Sequence, residues 1–94
     1  MSQAADGAVG LLQSLGNKSR LMIMCQLIGG EKSVGQLAEL LQARESTVSQ
    51  HLALLRKDKL VTTRRQAQTI FYAIASDPAR RLLETLYEIY CPQP

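Results

Sequence analysis

The chain contains two cysteines, Cys25 and Cys91, the second close to the end of the sequence. Cys25 lies in the apolar run Leu21-Met22-Ile23-Met24-Cys25-Gln26-Leu27-Ile28. Cys91 closes the run Leu86-Tyr87-Glu88-Ile89-Tyr90 and precedes Pro92. A pair of thiols can be oxidised to a bridge, provided one of them is an accessible thiolate. Both can also be inert. Free cysteine is commonly a small buried hydrophobe, and Cys91 stands at a chain end. Two cysteines are too few for a secreted disulfide scaffold. The residues alone leave free thiols, packing groups and a redox pair all open.

A second group of residues could bind rather than react. Net charge is +3, and its placement is uneven. Between Arg44 and Arg65 there are six basic and two acidic residues, whereas residues 1–43 balance and residues 66–94 carry −1. Such confinement fits a nucleic-acid footprint, or a solvated charged surface. The side chains within the window favour the first. Ser46, Thr47, Ser49, Gln50 and Ala53 oppose the apolar stripe Val48, Leu52, Leu55, with Leu54 beside that stripe. They are small and hydrogen-bonding, where a merely solvated helix would carry Glu and Lys.

Gln50 can pair bidentately with adenine, Thr47 can touch a thymine methyl, and Ser46 or Ser49 can serve base or phosphate. His51 adjoins the apolar stripe and has two readings: packing with a bond to backbone, or a phosphate or base contact. Arg56 and Lys57 suit phosphate, and suit the C-terminal helix dipole equally. Arg64 and Arg65, with Gln66 and Gln68, would arm a wing. The alternative is a charged, protected hairpin edge, and the concentration of charge favours DNA.

The elements that must position these groups follow from periodicity. Ala4 to Leu15 predicts a first helix ended by Gly16. Asn17 caps a second, which runs to about Ile28 and stops at Gly29-Gly30. Ser33 and Gln36 have capping-box spacing and open a third helix, with Val34, Leu37, Leu40 and Leu41 inward. A turn at Gln42-Ala43 leads to a fourth helix, about Arg44 to Lys57. The period then shortens: Leu60–Arg65 and Thr69–Ile74 predict two strands joined by Gln66-Ala67-Gln68. Asp77 is expected to cap a last helix with Pro78 at its first position. Leu82, Leu83, Leu86, Tyr87, Ile89 and Tyr90 give that helix more apolar surface than one small core needs, so a homodimer through the first and last helices is expected. Residues 1–94 thus predict one mainly α domain, ordered α-α-α-α-β-β-α, a winged helix-turn-helix. A domain this small gains stability by dimerising.

The stretch Ser46-Thr47-Val48-Ser49-Gln50-His51-Leu52-Ala53-Leu54-Leu55-Arg56-Lys57-Asp58-Lys59-Leu60-Val61, with Arg64-Arg65 and Phe71-Tyr72-Ala73-Ile74 behind it, resembles the ArsR family of bacterial repressors. Leu15-Gly16-Asn17-Lys18-Ser19-Arg20-Leu21 is similar to that family's second-helix entry. The resemblance covers about residues 8 to 91. It implies a homodimer that binds a near-palindromic double-stranded operator until an inducer acts. Three departures stand out: Asp58-Lys59 and Ala67 sit where glycine is common, and Arg44, where a serine-like cap is usual, is expected to reach phosphate instead.

One cysteine in the second helix and one at the end of the last resembles the dithiol branch of the family, the BigR, SqrR and HlyU type. That resemblance implies that Cys25 and Cys91 respond to a persulfide or polysulfide inducer, or to oxidants. No metal is expected. The third helix lacks the family's cysteine pair, and Asp77, Glu84 and Glu88 lack nitrogen partners at useful spacing. No cofactor is expected, and no enzyme: there is no credible nucleophile–base pair and no phosphate-binding glycine loop. No run is long enough for a membrane span, and Met1 to Gly7 does not read as a signal peptide, so the expected compartment is the cytoplasm.

Overall fold

Among the described residues, 2–91, the computed structural model has the order α1 (Ser2–Leu15), α2 (Lys18–Ile28), β1 (Lys32–Ser33), α3 (Val34–Leu41), α4 (Glu45–Lys57), β2 (Val61–Gln66), β3 (Thr69–Ile74) and α5 (Asp77–Tyr90). Pro92, which follows Cys91, lies outside the described residues. The five helices and the hairpin are those predicted. The addition is β1, too short to show a period in sequence. It exists because Lys32 and Ser33 pair antiparallel with Tyr72 and Phe71, which gives a three-stranded sheet ordered β1-β3-β2.

Caps fix most helix starts. The Asn17 side chain accepts the Arg20 N–H at 3.1 Å. Ser33 and Gln36 form the reciprocal capping box, with bonds of 2.9 and 3.2 Å. At α5 the expectation fails by one residue. Ser76, in extended backbone, accepts the Ala79 N–H at 3.2 Å and is the cap. Asp77 is the first helical residue instead, where its charge suits the positive end of the dipole. At the end of α2, Lys32 Nζ donates to the Gln26 carbonyl at 3.0 Å, and Gly30 turns the chain with a φ of 132°.

One apolar core lies under α2 to α5. Ile23, Met24, Leu27, Leu37, Leu52, Leu55 and Leu83 are fully buried, joined by Val48, Leu60, Val61 and Ala79, and no polar side chain of the described residues is buried with them. Each such large side chain contributes roughly 1.5–3 kcal/mol. Leu40, predicted inward, points out instead and is 53% exposed, and Leu54, beside the buried stripe of α4, is 46% exposed. On α3 the buried sector is centred on Leu37, Ala38 and Leu41, and Leu40 falls beside it. Leu54 is displaced about 100° from Leu55 around the helix. It turns toward α1.

The glycine-poor turns keep left-handed geometry. Gln42, Lys59 and Ala67 have φ of 52°, 63° and 56°. Each non-glycine residue there costs roughly 1 kcal/mol, a strain that the fold tolerates. The hairpin turn is Ala67-Gln68 rather than three residues, because Gln66 pairs with Thr69. α1 is held by Arg20, whose Nε donates to the Ser14 carbonyl at 2.7 Å, and by Ser14 Oγ, which donates to Asp58 Oδ2 at 2.6 Å.

Candidate DNA-reading surface and thiol pair

The turn between α3 and α4 sets the angle at which α4 is presented. The Gln42 N–H donates to the carbonyls of Ala38 and Glu39, and the Ala43 N–H reaches Ala38 at 2.9 Å. Arg44 is the N-cap residue of α4. Its backbone is extended, its side chain makes no capping bond, and its carbonyl accepts the Val48 N–H at 3.1 Å. Val48, Leu52 and Leu55 fasten the inner face of α4 to the core. On the outer face Ser46, Thr47, Ser49 and Gln50 are exposed. Ser46, Thr47, Ser49 and Gln50 have no side-chain hydrogen bond among the described residues, so their donors and acceptors are free. Arg56 and Lys57 are exposed in the last turn.

His51 is half-buried, and its Nδ1 is buried with no hydrogen-bond partner. The ring therefore packs, but the expected bond to backbone is not made at that nitrogen.

The wing treats its two arginines differently. Arg64 Nε donates to Glu31 Oε2 at 3.1 Å, Nη2 pairs with Glu31 Oε1, and Nη1 donates to Gln66 Oε1 at 3.0 Å. The guanidinium also lies 5.0 Å from the centre of the Phe71 ring. Hydrogen bonding from Arg64 holds the Glu31 carboxyl below the usual carboxylate range. Arg65 Nε donates to the Ala67 carbonyl at 3.1 Å. Gln68 is exposed. Glu31 escaped the sequence reading because it lies 33 positions from its partner, and no local pattern links them.

At the other site Cys25 is half-buried and packs against the core. Cys91 is exposed and follows α5, its N–H donating to the Tyr87 carbonyl at 2.8 Å. Burial pushes the Cys25 thiol pKa up, and the charge of Cys91 acts in the same direction. Tyr87 links the two positions: its carbonyl accepts the Cys91 N–H, and its side of α5 lines the cleft at Cys25. A cleft of about 270 Å³ beside Cys25 is lined by Ile28, Gly29, Glu84 and Tyr87. Among the described residues no basic group offsets this rise at Cys25. Among the described residues no three His, Cys, Asp or Glu side chains are grouped to hold a metal ion, and no helix is long and apolar enough to cross a membrane.

A helix pair joined by a tight left-handed turn, an outward polar row on its second helix and a basic hairpin define a winged helix-turn-helix. Residues 17–63 match the family described as bacterial regulatory protein, arsR family. The chain is 44% identical over 91 residues to the transcriptional activator HlyU of Vibrio cholerae, covering 97% of this chain and 84% of that protein. The structure of reduced HlyU from Vibrio cholerae superposes with a TM-score of 0.93, covering 97% of this chain and 96% of that one. The biofilm growth-associated repressor of Agrobacterium fabrum is 46% identical, with 97% of this chain and 78% of the relative covered. The homodimeric winged helix-turn-helix DNA-binding domain Mb0332 of Mycobacterium bovis is 27% identical, with a TM-score of 0.82 over 94% of this chain and 82% of that one. The chain belongs to the ArsR family of bacterial transcriptional regulators.

Proposed function

We propose that the protein is a homodimeric, cytoplasmic repressor that binds operator DNA and is released when Cys25 and Cys91 are bridged. The observation that carries the switch is placement: Cys25 on α2 shares a cleft with Glu84 and Tyr87 of α5, and Cys91 at the end of α5 donates its N–H to the Tyr87 carbonyl. The DNA reading is supported by the unpartnered row Ser46, Thr47, Ser49 and Gln50, flanked by Arg44, Arg56 and Lys57. Two such helices must meet half-sites about 34 Å apart on successive turns of the duplex. The dimer is supported by exposed Val9 and Leu12 on α1 and by Tyr87, Ile89 and Tyr90 on α5, the last two 62% and 75% exposed. The names of relatives include an activator and a repressor; both outputs begin with the same contact to DNA.

The chemistry needs no metal. One thiolate attacks the outer sulfur of a low-molecular-weight persulfide, giving a protein persulfide and expelling the small thiolate. The second thiolate then attacks the cysteine-bound sulfur, forming a disulfide and expelling hydrosulfide. If both cysteines are persulfidated first, the same displacement leaves a trisulfide and releases hydrosulfide. The persulfide supplies the oxidising equivalents in both cases. Exposed Cys91 makes the first attack, and Cys25, whose thiolate burial disfavours, resolves it. A bridge between α2 and the dimer-forming α5 would turn the reading helices out of register.

Intact mass of the reduced protein after glutathione persulfide, with hydrogen peroxide and oxidised glutathione in parallel, tests this reading. A bridge carrying extra sulfur only with persulfide, accompanied by DNA release, supports a selective sulfur sensor. A Cys25→Ser, Cys91→Ser protein that still releases DNA under persulfide sinks the switch.

A further inference from the structure

We propose that Arg64 is a positioning residue of the wing and that Arg65 is the wing's DNA contact. The inference rests on the DNA-binding reading above and separates two adjacent arginines that the sequence offers as equivalents.

The first argument is strand alternation. Successive side chains of a strand point to opposite faces of the sheet. Val61, Thr63 and Arg65 share one face, and Val61 on that face is buried in the core that also receives Leu52 and Leu55 of α4. Arg65 therefore continues the sheet face that turns toward the reading helix. Arg64 lies on the opposite face, directly across from Phe71, which in turn pairs with Ser33 of β1.

The second argument is occupancy. Each of the three Arg64 nitrogens has a partner, two on Glu31 and one on Gln66, and the guanidinium lies over Phe71. The Glu31 carboxylate takes the fork in the geometry a phosphate would use and cancels its charge. The contact reaches from β2 across β3 to the residue just before β1, so it ties the two edges of a sheet whose β1 edge has only two paired residues. Both partners are half-exposed, and such a pair adds little to global stability. Its effect is on where the hairpin sits. Among the described residues Arg65 is tied only through Nε, to the Ala67 carbonyl. That bond holds the left-handed turn and leaves both terminal nitrogens of Arg65 for phosphate or minor groove.

The test is the salt dependence of binding to a fluorescein-labelled mixed-sequence duplex, read by anisotropy, with folding of each variant checked by circular dichroism. Each phosphate contact contributes about 0.9 to the slope of log affinity against log salt. Arg65→Gln is expected to reduce the slope by about one contact per protomer. Arg64→Gln, Arg64→Lys and Glu31→Gln are expected to weaken binding to a similar degree with the slope unchanged. The Arg64→Gln, Glu31→Gln double variant should be no worse than either single, because both remove one link. If Arg64 were instead a phosphate ligand held back by Glu31, Glu31→Gln would tighten binding and steepen the slope by about one contact. Arg64→Lys would then stay close to the unmodified protein. That pattern overturns the assignment while leaving DNA binding intact. Absence of salt-dependent binding by the unmodified protein would overturn the DNA reading itself.

Discussion

Along α4 the outward residues come from one run of thirteen and make no side-chain hydrogen bond among the described residues, whereas Cys25 and Cys91 come from α2 and from beyond α5, and Cys91 adds to burial in raising the Cys25 pKa. The reading face is a local product. Helix geometry alone puts Ser46, Thr47, Ser49 and Gln50 on the side away from Val48, Leu52 and Leu55, and burial of that stripe fixes the helix. The thiol flank is a tertiary product, assembled only when α5 packs on α2. The surface proposed to read DNA and the composite surface proposed to react can then be changed separately.

The largest expected effect removes the support they share. Leu52 is fully buried beneath α4, and Leu52→Ala should cost about 2–5 kcal/mol of unfolding free energy. Denaturant unfolding followed by circular dichroism measures it. A loss below 1 kcal/mol would mean that α4 is not anchored as described.

Next comes a change confined to the reading face. Gln50→Ala should leave stability within about 0.5 kcal/mol, as an exposed substitution does. It should also remove roughly 1–3 kcal/mol of discrimination at one base pair. Selection of preferred duplexes from a random pool, with and without the substitution, checks this. Unchanged sequence preference would move base reading to other residues.

A smaller effect is expected at the wing tip. Ala67→Gly relieves a left-handed alanine and should gain up to about 1 kcal/mol, less the extra freedom glycine gives the unfolded chain. The midpoint of thermal unfolding reports it, and a clear decrease would show that this turn prefers alanine.

The smallest effect belongs to the thiol flank. The folded-state pKa of Cys25 is raised, chiefly by burial. The folded chain therefore holds that proton more tightly than the unfolded chain. The resulting stability is complete below the unfolded cysteine pKa and is lost as pH rises through the folded value. Cys25→Ser should flatten the decline of stability above about pH 8.5. Iodoacetamide should label Cys91 before Cys25, as peptide mapping would record. Equal labelling rates would show that burial does not restrain Cys25.

Much of this was legible in the residues. The Ser33–Gln36 box, the Asn17 cap, the stripe of α4 and the two alternating strands each carry their signal within a few positions. Three features were read differently: Leu40, placed inward by hydrophobicity, is outside, the cap of α5 is Ser76 rather than Asp77, and the hairpin turn has two residues. In each case neighbouring positions offered two acceptable answers, and packing chose between them. Nothing local announced β1, the Ser14–Asp58 bond or the Glu31–Arg64 pair, because each joins residues far apart in sequence.

The sequence by itself determined the helices, the hairpin, the polar face of α4 and the confinement of positive charge, since these depend on spacing along the chain and on side-chain chemistry. Only the tertiary structure decided that Arg64 is spent on Glu31 while Arg65 keeps its terminal donors, and that Cys25 is partly shielded beside α5 while Cys91 is open. Those outcomes depend on which surfaces meet once the common core is buried, a long-range choice that no short window of residues encodes.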